Sequence, residues 1–526
     1  MKNTCIKRLS DKTKRIHLSQ KKFFIVIYVT CFFVYGYNKI LFYRPVGMHQ
    51  WRNSVSASFA LNYYYDGNFF KTRTNALLAD EKTSDVSIVE FPVVYYFVSI
   101  LYRIFGPHEF LFRMTNTLIG FLGLLYLFKT AMLFLKDKIY AIAIPLFIFT
   151  SPIYVFYTNN FMPDATCLSI AFIGIYNFFK YYFTRNKKFW YYSMLFLLLA
   201  GLVKTPSLIF FLAAGAIGSI DLINGKNKNY RKIYPSGGIF LFSFLAVFGG
   251  LIVWYAYAYI YSDLHGGSVS PIEIRPIWIL SSSTVEKTWE MVIGRFRSGD
   301  YHSPVFLIVS GIFFCANLIV YKWYSSLLNL FTVFTFLGAV GFTALFFRSM
   351  QDHDYYQTGN LGFIPFVFLN LFVMLKNRYP KIFNSAITKS ILSVVLILLI
   401  NDCRINMSKR YSDDNGSYYW SSKKIEMYGD LEPYLRKLGI KRTNIVYCTP
   451  DQSINISLYL INQKGFTDFG FHKYNNKEQV NLMLKKDLKY VIVGDRKLVK
   501  NIDAIEPLFG KKIGQFGTTE IFQVPD

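Results

Sequence analysis

The chain has 526 residues, 53% of them hydrophobic and 19% aromatic, and its apolar residues fall in long runs separated by short polar stretches. That pattern excludes a soluble enzyme and predicts a polytopic membrane protein. The formal net charge of +26 sits in short basic clusters between the apolar runs, as topology signals do; this argues against nucleic acid as a partner and for some attraction to anionic lipid headgroups.

Residues 1–22 are basic and precede an apolar run from Phe23 to Tyr43. The run is too long and too aromatic for a signal-peptide core, and no small-residue cleavage site follows it, so it is expected to be a retained first span with the basic tail in the cytoplasm. The next segment, 44–111, is then a large outer loop. It opens with His49-Gln50-Trp51-Arg52, holds a weakly amphipathic piece from Ser54 to Tyr65 and an acidic stretch from Asp80 to Asp85, and reaches Glu90-Phe91-Pro92. Phe91 to Phe105 is short for a hydrocarbon core of about 30 Å and is expected to lie along the outer interface.

Further spans are expected at Phe112–Leu135, Ile139–Tyr157 and Ala165–Phe183, then as a hairpin of two within Phe189–Leu222 that breaks at Lys204-Thr205-Pro206. Gly238–Tyr261, Pro304–Val320, Leu327–Phe347, Leu361–Leu375 and Ala386–Ile400 follow, the last being the weakest by length, for about eleven in all. The basic turns at Lys136 and Lys138, Arg185 to Lys188, Lys226 to Lys232, Lys322 and Lys376 to Lys389 belong inside. Asn159–Asp164, Lys204, a second large loop over 262–303, and Arg348–Asn360 are thereby left outside.

Residues 403–526 have the composition of a soluble domain, expected on the outer side. Lys424–Leu438, Ile454–Asn462 and Lys477–Leu484 are helix-like, Asn444–Cys448 and Lys489–Val493 read as strands, and Gly514–Val524 resembles a hairpin. The fold class is thus a mostly α, polytopic membrane helical bundle with a small C-terminal α/β domain. That domain has no glycine-rich nucleotide fingerprint and receives no chemistry. The six cysteines, at 5, 31, 167, 315, 403 and 448, lack metal-ligand spacing, and unpaired thiols are expected, although Cys403 and Cys448 could pair if both faced an oxidising compartment.

Loop charge alone assigned these sides, yet the unusual polar residues fall together on the outside: His49, Arg52, Glu90, Asp164, Lys204, His353 and Asp354. An enzyme that uses a lipid-phosphate donor needs a carboxylate to accept a proton, cations for the leaving phosphate, and aromatic or polar groups to hold a ring. Plainer readings stand beside this one. Asp164, after Pro163, could only offset a helix dipole. Lys204 could snorkel to the interface, although Pro206 nearby suggests an irregular turn lining a cavity. Glu90 could be a surface charge, and His49 a hydrogen-bonded structural histidine. His353-Asp354-Tyr355-Tyr356 could anchor the membrane surface. Arg52 suits phosphate better than lysine would, through its planar fork of donors.

At these residues the sequence resembles the membrane glycosyltransferases of the GT-C fold, especially bacterial relatives of aminoarabinose transferases and protein O-mannosyltransferases. The matching features are His49-Gln50-Trp51-Arg52, Glu90-Phe91-Pro92, Phe105-Gly106 with Glu109 and Arg113, Ser151-Pro152, Met162-Pro163-Asp164-Ala165, Val203-Lys204 and His353-Asp354-Tyr355-Tyr356, and the similarity covers about residues 23 to 400, within the membrane domain expected over 23–402. The resemblance implies transfer of a sugar from a polyprenyl-phosphate donor to an envelope lipid, glycan or protein, at the outer face of a bacterial cytoplasmic membrane. On this reading Glu90 or Asp164 is the catalytic residue that deprotonates the acceptor hydroxyl, and His49, Arg52, Lys204, His353, Asp354 and Tyr355 bind substrate. No metal ligand is assigned and no cofactor is certain, with a divalent cation left open. The family usually carries an acid in the first outer loop soon after the first span, whereas Asn53-Ser54-Val55-Ser56 has none. Two alternatives therefore stay open: a lipid-linked sugar flippase or transporter, and a catalytically inactive scaffold.

Overall fold

The structure is a computed structural model that describes residues 20–77, 84–88, 90–224, 232–267, 274–323, 325–472, 476–500 and 502–525. Most of the basic tail, with Cys5, lies outside the described residues, as do Asp80 in the acidic stretch and the turn cations Lys226, Lys228 and Arg231.

Among the described residues, six helices are long and apolar enough to cross a membrane: Glu109–Leu135, Thr205–Ile223, Gly237–Leu264, Ser326–Leu345, Tyr356–Arg378 and Ala386–Arg410. A seventh arises if Lys138–Phe149 and Pro152–Thr158, which meet at 79°, form one broken span. The other apolar runs form helices that are shorter or more polar, among them Asp164–Thr184, Lys187–Val203 and Pro304–Ile319. Ser151 accepts a hydrogen bond from the Tyr154 amide and Pro152 sits at the first helical position, so the expected Ile139–Tyr157 span bends in its middle. The first run is a helix over 20–34 that ends at Gly36, whose φ of 73° only glycine adopts readily. Lys187–Val203 and Pro304–Ile319 are helices of 17 and 16 residues.

Val93–Phe105 is a helix of 13 residues, about 20 Å long and too short to cross. It buries Val94, Tyr95, Val98 and Tyr102 and exposes Phe97, Ile100 and Ile104, an arrangement suited to a lipid interface. Ala386–Arg410 departs from expectation by being long, 25 residues, because the helix continues through the polar segment after Ile400 to an arginine held inside the protein. The helices Glu109–Leu135 and Asp164–Thr184 pack closely: a Cβ at Gly123 would lie 2.5 Å from the Ser169 Cα.

The C-terminal region carries a five-stranded sheet in the order β2-β1-β3-β5-β4. Its strands are β1 (Ile445–Thr449), β2 (Gly465–Phe466), β3 (Leu488–Val493), β4 (Lys512–Phe516) and β5 (Thr519–Gln523). β1 runs parallel to β2 and β3, and β5 runs antiparallel to β3 and β4. This region seats directly on the segment that follows the first helix. The Leu77 amide donates to the Gly465 carbonyl at 2.8 Å and the Gly465 amide to the Asn75 carbonyl at 3.1 Å, extending the β2 edge with loop backbone. Asn455 then bonds both the Asn75 amide and the Ser54 carbonyl. Cys403 and Cys448 are buried free thiols.

Candidate functional site

The helix Gln50–Asp66 starts the site. His49 precedes it in a left-handed conformation, φ 57° and ψ 35°, and Arg52 follows on the first turn. Arg52 Nη2 donates to Glu90 Oε1 at 2.6 Å, and the Tyr95 hydroxyl donates to Glu90 Oε2 at 2.6 Å, so both carboxylate oxygens are engaged. Glu90 is buried. Burial pushes its pKa up, but the charges of Arg52 and Lys204 and the two hydrogen bonds outweigh that and hold it below the ordinary value.

Asp164 begins the helix Asp164–Thr184, and Lys204 occupies the break between Lys187–Val203 and the turn Thr205–Ser207. The extended backbone at Lys204, φ −163°, follows from Pro206 ending the helix nearby. Lys204 Nζ lies 2.6 Å from Asp164 Oδ1, with side chains 11% and 3% exposed. The lysine is turned inward, onto the rings of Tyr355 and Tyr356 at 4.6 and 5.3 Å, rather than outward to the interface. Asp164 Oδ2 is sealed from solvent with no hydrogen-bond partner among the described residues.

The third group surrounds Asp354, which is 1% exposed. His49 Nε2 lies 3.0 Å from its Oδ1, the Tyr157 hydroxyl donates to the same oxygen, and Arg410 Nη1 and Nη2 each reach Oδ2 at 3.3 Å. Burial raises this carboxyl, yet the hydrogen bond from His49 and the charge of Arg410 hold it well below the usual carboxylate range. His353 is pushed down to about 4, chiefly by burial and also by the nearby charge of Lys204, so it is neutral at pH 7. Tyr355 joins the groups, with its ring 5.0 Å from that of His49 and beneath the Lys204 ammonium.

The structure therefore brings together all of the expected residues, from five separate stretches of chain: six of them form three groups joined by ion pairs and hydrogen bonds, and His353 and Tyr355 adjoin these through ring contacts. Arg410, Tyr95 and Tyr157 complete those groups and were not expected. Arg410 follows Lys409 after an apolar run, where a basic residue reads as a topology signal, and the two tyrosines sit in apolar helices where they read as packing. Among the described residues no three His, Cys, Asp or Glu side chains converge as a metal site would require. An apolar cleft of about 520 Å³, lined by Phe70, Phe91, Leu202, Trp254 and Tyr257 among others, opens beside the site. Phe91 follows Glu90 directly, and its amide donates to the Leu202 carbonyl, two residues before Lys204.

Residues 89–254, which hold Glu90, Asp164 and Lys204, match the family model described as dolichyl-phosphate-mannose-protein mannosyltransferase. None of the curated proteins matches the sequence. Among solved structures, ArnT from Cupriavidus metallidurans in the apo state is similar with a TM-score of 0.60 and 11% identity, over 97% of this chain and 98% of that one. The same protein bound to undecaprenyl phosphate is similar with a TM-score of 0.58 and 12% identity, over 95% and 97%. The archaeal oligosaccharyltransferase AglB from Archaeoglobus fulgidus gives a TM-score of 0.49 at 10% identity, over 90% of this chain and 69% of that one. With a helical bundle, a small C-terminal sheet and a likeness that spans nearly the whole of both chains, the protein is a membrane protein of the GT-C glycosyltransferase fold.

Proposed function

We propose that the protein transfers a sugar from a polyprenyl-phosphate donor to a cell-envelope acceptor at the outer face of the cytoplasmic membrane. The observation that carries this reading is the pairing of two cations, Arg52 and Lys204, with buried acids at 2.6 Å each, next to an apolar cleft. A phosphate entering between them offers each cation a second anion, while the adjoining cleft takes apolar chain. The solved ArnT complex with undecaprenyl phosphate, a structure of the same fold, supports a ligand of that class.

In this reading Arg52 and Lys204 stabilise the departing lipid phosphate while an acceptor oxygen attacks the anomeric carbon in line. Glu90 and Asp164 are the acidic half of the machinery: they hold both cations in place before the donor arrives. His353, Asp354 and Tyr355 wall the space in which the sugar would lie, and the C-terminal domain, also on the outer side, covers the first loop. A flippase would instead need ionisable groups along the spans near the midplane. The test is to supply the purified protein with a panel of polyprenyl-phosphate sugars in a lipid bilayer extract and measure free polyprenyl phosphate. Donor-dependent release is expected; transbilayer movement of the intact donor without release would favour the flippase.

A further inference from the structure

Glycosyl transfer also needs a group that takes the proton of the acceptor, and the two acids expected for that task are occupied. Glu90 has both oxygens engaged, by Arg52 and by Tyr95. Asp164 gives one oxygen to Lys204, and its other oxygen is closed off from solvent. His49 differs from both. A carboxylate as strongly held in its ionised form as Asp354 only accepts hydrogen bonds, so Nε2 of His49 carries the proton between them, which leaves the lone pair of the neutral ring on Nδ1. Among the described residues Nδ1 makes no hydrogen bond, and the side chain is 16% exposed, so an incoming hydroxyl can reach it.

Two further observations point the same way. The backbone of His49 is left-handed, φ 57°, a conformation that a residue with a Cβ adopts at an energetic cost and that gathers at functional sites. The orientation it produces is then fixed from behind, since Asp354 is itself held by Tyr157 and by both terminal nitrogens of Arg410. His49 is also linked to a cation assigned to the phosphate: the Tyr355 ring lies 5.0 Å from the His49 ring and 4.6 Å from Lys204 Nζ, and Arg52 sits on the helical turn that follows His49.

We propose that His49, oriented by Asp354, is the general base of the transfer reaction, in place of a carboxylate in the first outer loop. Its Nδ1 takes the proton of the acceptor hydroxyl as the acceptor oxygen forms its bond to the anomeric carbon. The bond from that carbon to the phosphate oxygen breaks, its electron pair leaves with the polyprenyl phosphate, and the imidazolium returns its proton to water. Asp354 is a positioning residue: it holds the tautomer and steadies the charge that develops on the ring. The inference rests on the transfer reading above and names the group that performs its proton step.

The experiment compares the full-length native protein with His49→Ala, His49→Gln and Asp164→Asn, reading polyprenyl phosphate release and, separately, donor binding by equilibrium titration. For His49→Ala and His49→Gln, turnover is expected to fall by about 10²–10⁴-fold while donor affinity changes less than about threefold, and added imidazole is expected to restore part of the rate to His49→Ala. Retained donor binding shows that the variants are folded. Turnover of both His49 variants within about threefold of native, or loss of turnover without imidazole rescue in a His49→Ala protein that binds donor normally, overturns the proposal and returns the proton to Asp164. Absence of release by the native protein with every donor overturns the transfer reading and the proposal with it, whereas an active native protein with active His49 variants overturns the proposal alone.

Discussion

Lys204 and Asp164, forty residues apart in sequence by about two helices, meet as a buried ion pair of 2.6 Å in which the lysine still has an aromatic face and the acid a free oxygen. Such a pair is not needed for packing, since well-fitted apolar residues would serve at least as well, and breaking one half leaves an uncompensated charge. Lys204→Ala is therefore expected to slow transfer by about a hundredfold or more and to destabilise the protein by about 3–5 kcal/mol. Turnover and thermal unfolding of the variant in detergent check both; intact turnover would remove Lys204 from the mechanism.

The Glu90 carboxylate is ionised because Arg52, Lys204 and Tyr95 together outweigh its burial. A group with a depressed folded pKa contributes stability that is present above its unfolded pKa and is lost as pH falls through the folded one. The fold is thus expected to withstand acidification until below the ordinary glutamate range. Tyr95→Phe removes one of the lowering contacts, so the acid limb of the stability profile is expected to move to higher pH. An unchanged acid limb in the variant would show that the Tyr95 hydrogen bond does not set the Glu90 charge.

Arg410 ends the last long helix and carries the only guanidinium contacts to Asp354 given by the described residues. Arg410→Gln is expected to destabilise the protein by about 3–5 kcal/mol, because it leaves the Asp354 charge buried with one fewer partner. It is also expected to lower kcat more than it raises KM, since the lost contact supports His49 rather than the donor. A rise in KM alone would place Arg410 in donor binding instead.

Gly465 lies between the first loop and β1, where an added Cβ would come 1.9 Å from the Val446 carbonyl oxygen. Gly465→Val is expected to force β2 off one of its neighbours and to destabilise the C-terminal region by about 1–3 kcal/mol or more. Limited proteolysis of the loop over 67–77 reads the effect: faster cleavage than in the native protein is expected, and equal cleavage would show that the edge contact does not hold the loop.

Much of this architecture was legible in the sequence because its signals are local. Apolar runs mark the helices, Lys204-Thr205-Pro206 marks a broken hairpin, and loop charge places His49, Glu90, Asp164 and His353-Asp354 on one side. The partners were not legible, because pairing depends on contacts across long separations. Nothing near Arg52 in sequence selects Glu90 over the Asp80–Asp85 stretch, and Arg410 looks like Lys409 until the helix Ala386–Arg410 is seen to carry it inward to Asp354. Helix ends were also hidden: hydropathy sees Ile139–Tyr157 as one run, whereas the Ser151 cap and Pro152 divide it.

The most direct measurement is polyprenyl phosphate released from a panel of polyprenyl-phosphate sugars by the purified protein, beside a Glu90→Gln, Asp164→Asn double variant shown to be folded. Loss of both acids frees Arg52 and Lys204 from the charges that place them, so release by the native protein and its near abolition in the double variant are expected. Release at the native rate by the double variant, or none by a folded and membrane-inserted native protein with any donor, would contradict the account.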